Sequence, residues 1–155
     1  METEVVTALI GVGGAVVGGL LNTPEFRALF KTRNGAGKDL LGEWLAEWFI
    51  DAGQPAAEAV VKDRILIRKI DGDDVTATGV SPLINEYKLT GLLSPSNVVT
   101  FHFQGTQKRT MTGVVILQLN TLRDEMKGHW HQISPEGKFV GGRTTWKKGN
   151  GPLDR

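Results

Sequence analysis

From about residue 40 onward, apolar and polar residues alternate in short runs, and each run is closed by a turn signal. Alternation with a period of two is what a sheet with one dry face requires. It predicts strands at Leu40 to Ile50, Val61 to Ile70, Val75 to Val80, Glu86 to Leu93, Val98 to Gln104, Arg109 to Leu119, Glu125 to Ile133 and Phe139 to Lys148. The separators Asp71-Gly72-Asp73, Ser81-Pro82, Ser94-Pro95-Ser96-Asn97, Gln104-Gly105 and Ser134-Pro135-Glu136-Gly137 have the composition of tight turns. Leu40 to Ile50 also has helical spacing, with Trp44 and Trp48 four apart. The strand is preferred because Gly42, Trp44, Ala46, Trp48 and Ile50 share one parity.

The later strands each carry a glycine, and it marks a face. Residues of the same parity as Gly79, Gly91, Gly113, Gly128 and Gly142 are Ala77, Tyr87, Leu89, Leu93, Met111, Val115, Leu117, Leu119, Met126, Trp130, Val140, Thr144 and Trp146. The opposite parity holds Lys88, Thr90, Thr110, Thr112, Lys127, His129, His131, Arg143, Thr145 and Lys147, a set that belongs in water. In "DRILIRKI" apolar residues occupy both parities, so the inner face of that strand is not assigned. Successive strands with short turns and one dry face close most simply into an up-and-down meander, and glycines within strands suit tight coiling. The predicted fold class is all-β: an eight-stranded up-and-down antiparallel barrel over residues 38–148, preceded by an N-terminal membrane-type α-helix and followed by a tail at 149–155.

That helix is read from residues 1–23. Val5 to Thr23 carries no charge, and as a helix it would span roughly 28 Å, close to one hydrocarbon core. The run "GVGGAVVGGLL" does not fit a dinucleotide loop, because Val16 stands where the third glycine belongs. A Walker loop fails too: Asp39 follows Gly37-Lys38 where Ser or Thr is needed. Read as a helix, Gly11, Ala15 and Gly19 recur every fourth residue, with Gly14 and Gly18 on a neighbouring face. This is a surface for close helix–helix approach and hence for a homo-oligomer. The alternatives are a buried or surface-lying segment, or a cleaved signal, although Glu2 and Glu4 precede the apolar run where a signal peptide is basic. Residues 24–37 form an amphipathic segment and linker, with Phe26, Leu29 and Phe30 on one side. The basic residues Arg27, Lys31 and Arg33 place the barrel in the cytoplasm beneath a single inner-membrane span, with lipid as a partner.

Charge and composition narrow the chemistry. In 155 residues, 18 Lys plus Arg nearly balance 17 Asp plus Glu, with no long basic run, so a DNA or RNA polymer is not an expected partner. There is no cysteine, and His102, His129 and His131 fall on the outer parity without a third ligand, so no metal or other cofactor is expected. No nucleophile elbow occurs, and Glu43 and Glu47 point away from the apolar lining; no catalytic residues are assigned and the chain is not read as an enzyme. Trp44, Trp48, Trp130 and Trp146 share the inner parity. With hydroxyls from Tyr87 and Thr144 and a cation from Arg109 near the mouth, they form a candidate binding site for a planar small molecule such as a cyclic nucleotide. The same rings equally suit a filled, ligand-free interior, which makes the barrel a structural or protein-interaction element.

The phrases "LLGEWLAEWFIDAGQ", "VKDRILIRKIDGDDVTATG", "YKLTGLLS" and "KGHWHQISPEGKFVGGRTTWKK" resemble calycin-like small β-barrel domains, in which G-x-W opens the first strand and a tryptophan closes the last. With the N-terminal layout, the chain is similar to the membrane-anchored barrel effectors of bacterial anti-phage defence that respond to cyclic oligonucleotides. The resemblance implies a barrel that binds a cyclic dinucleotide, self-association through membrane helices, and membrane disruption. One departure is that such effectors resemble two-span proteins, whereas this chain offers one apolar stretch.

Overall fold

The computed structural model describes residues 37–51, 59–106, 111–134 and 136–149. They form a closed barrel of eight antiparallel strands in sequence order: β1 (Gly42–Ile50), β2 (Ala59–Asp71), β3 (Asp74–Ser81), β4 (Asn85–Leu93), β5 (Val98–Gly105), β6 (Thr112–Leu119), β7 (Glu125–Ile133) and β8 (Phe139–Lys148). Closure comes from β1 pairing with β8 in the register Trp44↔Lys148 to Trp48↔Thr144. Every expected strand is present, and the alternation of burial follows the expected parity: Tyr87 and Leu89, Phe101 and Phe103, Val115 and Leu117, Met126 and Trp130, and Thr144 and Trp146 all point inward.

Two details differ from the sequence expectation. Leu40 belongs to a 3-10 turn at Lys38–Leu40 and not to β1. Its amide donates to Gly37 O at 2.8 Å, and its side chain is fully buried as a plug across one end of the barrel. Trp44 Nε1 donates to Leu40 O at 2.8 Å, while Arg123 pairs with Asp39, so the plug is tied to the wall at two points. Second, β2 is irregular: its register with β3 shifts between Ile67 and Lys69. A bulge inserts a residue and reverses parity beyond it. Asp63, Ile65 and Ile67 therefore face inward on one side of the bulge, and Ile70 packs on the core on the other, which is why both parities look apolar in the sequence. Arg109, placed in a strand by the alternation, lies outside the described residues.

The strand glycines let aromatic rings cross the narrow lumen. A Cβ at Gly79 would sit 2.1 Å from the Tyr87 ring that packs over it from the adjacent strand; one at Gly113 would sit 2.4 Å from Phe103. Without those side chains, rings fill the interior: Phe101 stacks on Trp146 at 5.7 Å, and Trp48 meets Trp146 and Trp130 edge-on at 5.7 and 5.9 Å.

The expected membrane-type helix at 1–23, with Gly11, Gly14, Ala15, Gly18 and Gly19 as its association face, lies outside the described residues. Among the described residues no helix is long and apolar enough to cross a membrane. The helical element they do contain, the 3-10 turn, has three residues and covers about 6 Å against a hydrocarbon core of about 30 Å. The expectation of a single inner-membrane span with a cytoplasmic barrel, lipid as partner and oligomerisation through the span is corrected accordingly. What the structure provides is the closed barrel.

Candidate functional site

The two ends of the barrel are built differently. At the plugged end Leu40, Trp44, Leu93, Leu117, Met126 and Trp146 are packed to exclusion of solvent. At the opposite end the lumen opens into a cavity of about 120 Å³. Its walls are the rings of Trp48, Tyr87, Phe103 and Trp130, its polar groups are Asp63, Ser81 and Gln132, and Leu83 and Ile84 stand at its rim. Each ring arrives from a different strand. Trp48 comes from β1, Tyr87 from β4, Phe103 from β5 and Trp130 from β7, all at inner positions near the same end. The rings meet at steep angles: 58° between Trp48 and Phe103, 89° between Trp48 and Trp130, and 66° between Tyr87 and Phe103. With centroids 5.9 to 6.2 Å apart, these are tilted and edge-to-face contacts of rings packed against one another.

Asp63 is the unexpected member. It occupies an inner position of β2, opposite Ala46 of β1, and is 6% exposed. Tyr87 donates its hydroxyl to Asp63 Oδ2 at 2.7 Å. The hydroxyl of Ser81 and the indole N–H of Trp48 lie close enough to favour the ionised carboxyl, but the indole does not reach hydrogen-bonding geometry: Trp48 Nε1 and Asp63 Oδ1 both remain without a partner. Burial outweighs these neighbours and raises the Asp63 carboxyl above its ordinary value, because a desolvated carboxylate disfavours its charged form. Burial, followed by the adjacent Asp63 charge, also raises the Tyr87 phenol far above the usual range, so Tyr87 stays a hydrogen-bond donor.

Of the seven residues singled out as a ligand site, the cavity brings together Trp48, Tyr87 and Trp130. Trp44 and Trp146 are fully buried in the plugged half. Thr144 donates to Glu47 O at 2.8 Å and accepts from Trp146 Nε1 at 3.0 Å, tying β8 to β1. Arg109 lies outside the described residues. Sequence reasoning missed Asp63. Its signal was parity, since it sits two and four residues before Ile65 and Ile67, but a charged residue in a strand with apolar residues on both parities reads as solvent-facing.

The cyclic-nucleotide expectation is corrected by this geometry. Sites for drug-sized ligands occupy about 300–1,000 Å³, several times the space present, and among the described residues no lysine or arginine lines the cavity to meet a phosphate. The carboxyl in the wall would repel one. His102 stands apart on the outer face of β5. Its ring nitrogen Nε2 is 2.8 Å from Thr112 Oγ1, and partial burial lowers its pKa. Among the described residues no group of three His, Cys, Asp or Glu side chains could hold a metal ion.

Neither the protein-family models nor the curated proteins give a match to this chain. The likeness to membrane-anchored anti-phage effectors therefore reduces to the barrel architecture that the structure itself shows.

Proposed function

We propose that this chain is a non-catalytic protein-interaction barrel whose interior serves as a rigid, filled core and whose contact surface is the open end. The observation that carries this reading is the contrast between the two ends. One is sealed by Leu40 and packed with fully buried aromatic rings. The other opens into the aromatic cavity, with Leu83 71% exposed at its rim. Apolar side chains at the rim of a concave aromatic surface are the composition of an interface centre. The barrel wall, closed by direct β1–β8 pairing, supplies a fixed frame for such a surface.

Site-specific photo-crosslinking in the native cell tests the reading. A photo-reactive side chain at Leu83 is expected to yield discrete protein adducts. The same group at Leu122, which is 79% exposed in the turn between β6 and β7 at the plugged end, is expected to yield none of them. Identical adducts from both positions, or none from Leu83, would refute the open end as the contact surface.

A further inference from the structure

We propose that the open-end cavity is a cage for an alkylammonium group, supplied by a lysine side chain of the partner protein. The inference rests on the interaction reading above and gives it a chemical specificity. Four observations point the same way. The cavity is lined by the four rings of Trp48, Tyr87, Phe103 and Trp130, and aromatic rings attract cations through their negative faces. Asp63, a carboxylic acid in the wall, is buried and has an oxygen without a partner. Such a group calls for an explanation, and a neighbouring positive charge supplies one. Among the described residues no lysine or arginine lines the cavity. Finally, the volume suits a group of this size: a cavity of roughly 150 Å³ holds benzene, and the 120 Å³ here admits an alkylammonium head with part of its stem.

A lysine fits the rest of the opening as well. Its aliphatic stem can lie across Leu83 and Ile84 at the rim while the ammonium reaches inward, the usual division of labour in that side chain. The electrostatics near Asp63 are simple. Among the described residues Tyr87 from β4 is the other titratable group in the cavity wall, with Ser81 from β3 and Trp48 from β1 as the polar neighbours of Asp63. Lys62 and Arg64, on either side of Asp63 in β2, point outward and pair with Glu47 and Glu43 across the β1–β2 surface. Glu86, beside Tyr87, is exposed on the outer face of β4.

Titration of the full-length chain by 1H–15N NMR, reading the four indole N–H signals, tests the proposal. The probes are choline and its uncharged analogue 3,3-dimethylbutan-1-ol, then a lysine-containing peptide and the same peptide with Nε-acetyl-lysine. Choline at about pH 8 is expected to shift Trp48 and Trp130 saturably and to leave Trp44 and Trp146 unmoved. The alcohol and the acetylated peptide are each expected to bind at least about tenfold more weakly than their charged counterparts. Asp63→Asn, which keeps an acceptor for Tyr87, should weaken choline by about tenfold or more while preserving the barrel's spectrum. Affinity should fall as the carboxyl is protonated. Equal binding of choline and the alcohol, or unchanged choline binding in Asp63→Asn, overturns the cage. Choline binding without discrimination between the two peptides overturns lysine as the source. Should Asp63→Asn lose its fold, Trp130→Leu carries the same test through the ring wall. Because the probes are small molecules and synthetic peptides, failure here leaves the crosslinking result untouched, and failure of the crosslinking leaves these titrations readable.

Discussion

Replacing Tyr87 by phenylalanine removes one oxygen from the barrel and should expose the character of the Asp63 site. The lost hydroxyl donates at 2.7 Å to Asp63 Oδ2, and Asp63 Oδ1 has no partner, so the variant buries a carboxyl with neither oxygen bonded. Leaving such a group unsatisfied costs about 1–3 kcal/mol. For a barrel of this size that corresponds to a fall in Tm of roughly 4–12 °C. The cost should depend on pH, with a definite sign. The folded Asp63 pKa is raised above its unfolded value of 3.8, so the folded protein binds more protons between those two values. Stability from this group is fully present below 3.8 and is lost as pH rises through the raised folded value. Tyr87 favours the ionised form, hence Tyr87→Phe should cost most at about pH 8 and least at about pH 3.5, where the carboxyl is neutral. The assay is denaturant unfolding at both pH values of the wild type, Tyr87→Phe, Asp63→Asn and the double variant. A coupling energy of at least about 1 kcal/mol is expected at the higher pH, since the residues are in contact. An equal penalty at both pH values, together with additivity in the double variant, would refute the account of Asp63 as a buried, Tyr87-supported carboxyl.

Other outcomes follow from separate parts of the barrel. Gly79→Ala should destabilise by about 1–3 kcal/mol through overpacking, because its new Cβ falls 2.1 Å from Tyr87; chemical denaturation measures this, and a neutral effect would mean that the ring has room to retreat. Trp146→Ala should cost about 3–5 kcal/mol, since the ring is fully buried against Phe101 and Trp48, and retention of wild-type stability in thermal unfolding would contradict the packed interior. The lowered pKa of His102 makes the unfolded chain the better proton binder between that value and 6.5, so stability from this residue rises with pH across the window; His102→Gln should flatten that slope in pH-dependent unfolding, and an unchanged slope assigns it elsewhere.

The barrel wall was legible because strand parity is a local property. Alternation in β4 to β8 places Tyr87, Phe101, Phe103, Trp130 and Trp146 inside without knowledge of their partners. What sequence could not show is what depends on register across strands. Asp63 went unread as a cavity residue because a bulge at Ile67–Lys69 lets β2 carry apolar residues on both parities, hiding its inner face. The division of the tryptophans between a sealed half and an open one is likewise a matter of height along the barrel, which parity does not report. Trp44 and Trp48 share one face and one strand, yet the first bonds the plug through Leu40 O and the second lines the cavity. Thr144 was singled out for its hydroxyl, and that hydroxyl is spent on Glu47 O and Trp146 Nε1.

Direct pairing of the first and last strands also settles how the barrel can be handled. Gly37 leads into the plug, and Gly149, whose amide bonds Glu43 O at 2.8 Å, follows β8 at that same pole. Chain entry and exit are thus neighbours, diametrically opposed to the aromatic mouth. A bead, a dye or a fused domain attached through either flank would leave the mouth facing outward, and rejoining the two flanks while opening a turn elsewhere should yield a permuted chain that closes into the same tube.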